Sequence, residues 1–178
     1  MIRLVTGGSR SGKSSFTEGL YSDKKDVVYI ATSKIWDEEM KERVQLHRDS
    51  RPKEWRTFEA TYNLDEALGF EKNYLLDSIT VMVSNIMFDL SKDLEYIDYI
   101  LQEKIENRVI LEIEDLIKSV KKKGYNLSLV TDEVGSSIVP EHHVSRVFRD
   151  IQGRINQKLA GMADEVYLVC CGIPVKIK

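Results

Sequence analysis

Five short runs along the chain are apolar on both faces and rich in β-branched residues: Ile2 to Thr6, Val27 to Ala31, Tyr74 to Asp77, Leu127 to Thr131 and Val166 to Cys170. Runs that do not alternate predict strands covered on both sides. Between them the apolar period lengthens. From Tyr96 to Lys123, the residues Ile97, Ile100, Leu101, Ile105, Val109, Ile113, Leu116, Ile117 and Val120 recur at helical spacing and stop at Gly124, which predicts a long amphipathic helix. A clearer stripe runs from Val144 to Met162 through Val147, Phe148, Ile151, Ile155 and Leu159, with Arg146, Arg149, Arg154 and Lys158 on the opposite face. Strands alternating with helices imply right-handed crossovers and a mostly parallel sheet between helical layers, an α/β three-layer sandwich. In the tail from Gly172 to Lys178, Val175 and Ile177 alternate with Lys176 and Lys178, the pattern of an antiparallel edge strand folding back on the sheet.

Composition narrows the partners. A chain of 178 residues with 42% hydrophobic content can bury one sizeable core and is short for two, and no repeat or Ser/Gly-rich linker divides it, so residues 1–178 are expected to form one domain. With 26 basic and 29 acidic side chains the formal charge is -3, which argues against a nucleic acid or an anionic membrane and for a small molecule. No apolar run approaches the roughly 20 residues that span a bilayer, and MIRLVTGG runs straight into a motif, so a cytoplasmic protein is expected. Cys170 and Cys171 are neighbours in an apolar stretch without metal-ligand spacing, and are expected to be buried thiols.

The motif is GGSRSGKS: Gly7, Gly8, Ser9, Arg10, Ser11, Gly12, Lys13 and Ser14 satisfy G-x-x-x-x-G-K-[ST] between a strand and a helix. Glycines let successive backbone N–H groups turn toward one phosphate, and the helix start adds positive potential. Lys13 is placed to reach the β and γ phosphates, and the Ser14 hydroxyl to ligate Mg²⁺. The competing reading, a Gly/Ser-rich turn with a surface lysine, lacks a reason for the flanking strand and helix. A second Mg²⁺ oxygen is expected from a strand end, where ligands of open parallel sheets gather. Two strands end in acid, at Asp77 and Asp132. Asp77 is the better candidate, with capping of the following helix as its competing role.

The stretch WDEEMKERVQLHRDSRP reads as a helix capped by Asp37 and ending before Pro52, with Met40, Val44 and His47 on one face. His47 is either tucked under a helix end or chemically active. Arg43, Arg48 and Arg51 around it favour activity, since guanidinium groups hold polyphosphates; pairing with Glu39 or Asp49 is the bland alternative. His142 and His143 read as a loop and helix start without a third metal ligand. Trp36 and Trp55 either stack on a flat ligand or pack.

Beyond the loop, YIATSKIWDEEMKERVQLHRDSRPKEWRTFE, LLDSITVMVSN, VTDEVGSSIVPE and FRDIQGRINQKLAGMADEVYLV, in this order, resemble the bifunctional adenosylcobinamide kinase / adenosylcobinamide-phosphate guanylyltransferase family of cobalamin biosynthesis over nearly the whole chain. The resemblance implies a P-loop NTPase of RecA-like type and two reactions. Adenosylcobinamide is phosphorylated by ATP or GTP; GMP then passes from GTP to adenosylcobinamide phosphate through a guanylyl-histidine, for which His47 is the nucleophile. It further implies nucleotide-site roles for Ala31, Thr32, Ser33, Arg48, Asp49, Ser50, Arg51, Glu59 and Asp77, and a homotrimer. Independently of resemblance, a neutral imidazole can attack an α-phosphorus, and nearby arginines would stabilise the added charge and disfavour imidazole protonation. Where the family commonly has Asn before EVG this chain has Asp132, an acid that would repel phosphates unless Mg²⁺ or an arginine neutralises it. A kinase with the phosphoryl step alone, or a nucleotide-sensing module, would leave His47 without a role.

Overall fold

All five apolar runs are strands. In the computed structural model, which describes residues 1–33, 52–92 and 94–178, they are β1 (Ile2–Gly7), β2 (Val27–Ala31), β4 (Asn73–Asp77), β5 (Asn126–Asp132) and β6 (Glu165–Cys170). Two more complete the sheet among the described residues: β3 (Arg56–Glu59) and β7 (Ile173–Lys176), in the order β3-β2-β4-β5-β1-β6-β7. Every neighbouring pair is parallel except β6 with β7, which is antiparallel, so the tail is the edge strand its alternation predicts. β3 escapes the pattern because the short RTFE segment sits at the other edge, where two apolar faces are not required; its Arg56 instead binds Glu71 at 2.7 Å. That guanidinium holds the Glu71 carboxyl below its usual range.

Among the described residues the α-helices are α1 (Lys13–Gly19), α2 (Ile79–Ser91), α3 (Tyr99–Lys123) and α4 (His143–Met162). Each begins or ends for a local reason. Asp98 caps α3 by accepting from Leu101 N at 2.8 Å, and Gly124, at φ 70, closes it. The helix therefore starts three residues after Tyr96. Ile100 falls off the predicted stripe and is 79% exposed, since five residues separate it from buried Ile105, about 140° around the axis. His142 takes the cap position of α4 with His143 in its first turn, as the sequence reading expects.

The layers divide by strand parity. Ile2, Leu4, Val28, Ile30, Tyr74, Leu76, Leu127 and Leu129 face the apolar stripes of α2, α3 and α4 in the main core, through residues such as Ile86, Ile113 and Ile155. Val27, Tyr29, Leu75 and Val130 face the other way and pack with Tyr21 and Trp55, beyond the end of α1. Trp55 is thus a packing residue, its indole N–H donating to Lys24 O at 3.0 Å. Contrary to expectation both cysteines are exposed: Cys170 ends β6 near the sheet edge and Cys171 lies in the turn to β7. No described helix is long and apolar enough to cross a membrane.

Candidate functional site

A loop able to wrap a phosphate needs a strand that stops, a chain that turns tightly and a helix that starts, and residues 7–14 supply all three. Gly7 ends β1 beside Asp132 of β5. A Cβ on Gly7 would collide with the Val169 carbonyl oxygen, so no larger residue fits. Gly12 precedes α1 at φ 96, where a Cβ would come within 3.1 Å of Gly172 Cα. The contact is mutual: Gly172 N donates to Ser11 O at 2.8 Å. Cys171 and Gly172 both have positive φ, 52 and 79, as the two-residue turn of a β-hairpin requires. The β6–β7 hairpin therefore braces the loop. Ser11 Oγ is buried and has no hydrogen-bond partner among the described residues, a hydroxyl that a phosphate oxygen would satisfy.

Lys13 is buried and its ammonium group lies back over the loop, donating to Gly8 O at 2.6 Å and pairing with Asp132 Oδ1 at 2.7 Å. Asp132 is neutralised by the loop's own lysine and not by the Mg²⁺ or arginine that the sequence suggests. Asp132 is held firmly at its backbone. Its N–H donates to Thr80 Oγ1 at 2.7 Å, and its carbonyl accepts from Asn156 Nδ2 at 3.0 Å. Thr131 and Gln152 complete that network, with Gln152 Nε2 donating to Thr131 Oγ1 at 2.8 Å and Thr131 Oγ1 donating to Asn156 Oδ1 at 2.7 Å. These residues were missed in the sequence, although Gln152 and Asn156 lie one turn apart beside an apolar stripe.

Across the site, Ser14 Oγ donates to Asp77 Oδ2 at 2.7 Å. Capping of α2 falls to Ser78, whose Oγ accepts from Val81 N at 3.3 Å, so the competing role for Asp77 is filled by its neighbour. The two oxygens form a hard-ligand pair of the kind Mg²⁺ takes when substrate phosphates and water supply the rest of its octahedron. Ser9, Arg10, Ser11, Gly12, Lys13, Ser14, Asp77 and Asp132 are among the residues lining a cavity of about 410 Å³ over the strand ends.

The other predicted positions sort by where they fall. Ala31 ends β2 in register with Asp77 on one side and Glu59 on the other, so all three share the carboxyl edge of the sheet. Thr32 is buried just beyond, and its hydroxyl donates to Ser78 O at 2.7 Å, tying the end of β2 to the end of β4. Ser33 follows, half-buried. His47, Arg48, Asp49, Ser50 and Arg51, with the helix expected around them and Trp36, lie outside the described residues. Strand β5 separates the strand of the phosphate loop from the strand that ends in Asp77, the RecA-like arrangement of a P-loop NTPase.

Comparison with known proteins extends this geometry. A family model described as cobinamide kinase / cobinamide phosphate guanyltransferase matches residues 3–177. The bifunctional adenosylcobalamin biosynthesis protein CobU of Escherichia coli (strain K12) is 47% identical over 184 residues, covering 100% of both chains. Its namesake in Salmonella typhimurium is 48% identical over the same span and coverage. The bifunctional adenosylcobalamin biosynthesis protein CobP of Pseudomonas aeruginosa is 31% identical, over 100% of this chain and 98% of its own length.

Proposed function

This chain belongs to the cobinamide kinase / cobinamide phosphate guanyltransferase family, and from that membership we propose a division of chemical labour among its residues. The enzyme is bifunctional: it phosphorylates adenosylcobinamide with a nucleoside triphosphate, then transfers GMP from GTP to adenosylcobinamide phosphate, yielding adenosylcobinamide-GDP for cobalamin biosynthesis.

In the proposed phosphoryl step the amide groups of residues 7–14 cradle the triphosphate and Lys13 leaves Asp132 for the β and γ phosphates. The observation that carries this reading is the meeting of Ser14 and Asp77 at 2.7 Å beside that lysine. These two residues would hold Mg²⁺, which when bound offsets the charge on the phosphate oxygens. In the guanylyl step, neutral His47 attacks the α-phosphorus of GTP, pyrophosphate leaves, and the phosphate of the acceptor takes GMP from the phosphoramidate. Arg48 and Arg51 stabilise the charge that develops; Asp49 and Ser50, together with Ala31, Thr32, Ser33 and Glu59 at the sheet edge, complete the nucleotide site. We further assign the enzyme to the cytoplasm, as one catalytic domain per chain assembled into a homotrimer.

The test is covalent. Intact-mass measurement after incubation with GTP and Mg²⁺ should show a gain of one GMP, mapping to the peptide with residue 47 and absent from His47→Ala. A wild-type enzyme that forms product without ever gaining that mass rules out the histidine route.

A further inference from the structure

A second opening of about 620 Å³ adjoins the phosphate loop on the side away from Asp77. It shares Ser9 and Asp132 with the nucleotide cavity and extends past them to Glu133, Ser136, Leu168 and Cys170. Beyond the loop residues Gly8 and Ser9, its lining has no part in the nucleotide site or in the Ser14–Asp77 pair. Its placement has a consequence, because a phosphoryl acceptor must approach the γ-phosphorus from the side opposite the leaving β-phosphate. Ser9 and Asp132 line both cavities, and Lys13, which turns from Asp132 to the β and γ phosphates, stands beside them, so the γ end of a triphosphate on this loop would fall near the boundary of the two cavities. Among the described residues, the second cavity gives an acceptor a way to that end from outside the nucleotide cavity.

One carboxylate there is built for the task. Glu133 is anchored at its backbone, its N–H donating to Gly7 O at 2.9 Å, which ties it to the first residue of the loop. Its Oε1 accepts from Gly135 N at 2.6 Å and Ser136 N at 3.0 Å, so the side chain is oriented by its own turn. Among the described residues Oε2 has no hydrogen-bond partner. Asp132 also reaches both cavities, but it already faces the ammonium of Lys13.

We propose that the cavity beside Glu133 receives the hydroxyl-bearing arm of the phosphoryl acceptor, and that Glu133 is the general base of the kinase step. The hydroxyl donates to Oε2. As its oxygen bonds to the γ-phosphorus, the bridging bond from that phosphorus to the β-phosphate oxygen breaks, the nucleoside diphosphate leaves, and the hydroxyl proton ends on Glu133. Leu168, exposed on the wall of the cavity, packs against the apolar part of the arm. This inference rests on the kinase activity stated above and adds a site and a base to it.

Steady-state kinetics of adenosylcobinamide phosphorylation test it with two variants. Glu133→Gln keeps an oxygen for the Gly135 and Ser136 amides but cannot take up a proton. It should lower kcat by about 100-fold and remove the acid limb of the pH–rate profile, with the melting temperature and nucleotide Kd unmoved. Leu168→Trp narrows the cavity and should raise the KM for adenosylcobinamide at least about tenfold while nucleotide Kd stays constant. Wild-type-like rates and pH profile in the first variant, or an unmoved acceptor KM in the second, overturn the proposal while the kinase reading stands. A wild-type enzyme inert toward adenosylcobinamide overturns both.

Discussion

Ser14 and Asp77 are 63 positions apart in the chain, and the hydroxyl of one donates to the carboxylate of the other at 2.7 Å. The contact joins the start of α1 to the end of β4. Removing the acid should therefore act through the metal. Asp77→Asn is expected to raise the Mg²⁺ concentration for half-maximal turnover about 10- to 100-fold. A Mg²⁺ titration at saturating nucleotide measures this, and an unshifted titration with wild-type kcat would deny Asp77 a metal role.

Asp132 competes with the nucleotide for Lys13, since the ion pair at 2.7 Å occupies the ammonium that the phosphates need. Removing one negative charge near the triphosphate is worth about 1 kcal/mol in a well-solvated setting, so Asp132→Asn should tighten nucleotide binding about fivefold. Calorimetric titration at constant Mg²⁺ reads the change. Weaker binding in the variant would mean that the carboxylate's service in aligning Lys13 outweighs its repulsion.

The hairpin brace is testable through stability. Gly12→Ala places a methyl 3.1 Å from Gly172 Cα at a residue with φ 96, a conformation costly for any L side chain. A loss of about 1–3 kcal/mol is expected, lowering the melting temperature by roughly 2–4 °C for each kcal/mol. Nucleotide binding should weaken in parallel. A fully stable variant that binds nucleotide normally would show that the loop does not depend on the β6–β7 turn.

Acid should loosen the contact between α3 and α4. Burial works against the charge on Glu106, but Arg154 at 2.6 Å and Lys158 at 2.7 Å overcome it and hold the carboxyl below its ordinary value of 4.5. A depressed folded-state pKa contributes stability above the unfolded value, and that contribution disappears as pH falls through the folded one. Denaturant midpoints should therefore drop as pH is lowered from neutrality past 4.5, and Glu106→Gln should flatten that part of the curve. A variant with the same acid dependence as wild type would place the effect on other carboxylates.

Much of this was legible along the chain because it depends on residues close in sequence. Five strands, both long helices and the phosphate loop follow from apolar period and from glycines at set intervals. The edge strand β7 was legible too, through its alternation after Gly172. β3 was hidden, because four edge residues bury too little to carry a pattern. The thiols were misjudged for a related reason: an apolar neighbourhood in sequence does not reveal that a strand end and a turn face solvent.

What the linear order decided by itself is the chemistry available: a phosphate-binding loop with its lysine and serine, two acids at strand ends, and a histidine among arginines. What only the tertiary structure decided is which of these groups meet. Crossovers that put β5 between β1 and β4 send Asp77 to Ser14 and Asp132 to Lys13, and let Ser78 take the helix cap. The reason is physical: the period of a strand depends on its immediate neighbours, whereas pairing between strand ends depends on which strands lie side by side, and that is settled by burial across the whole sheet.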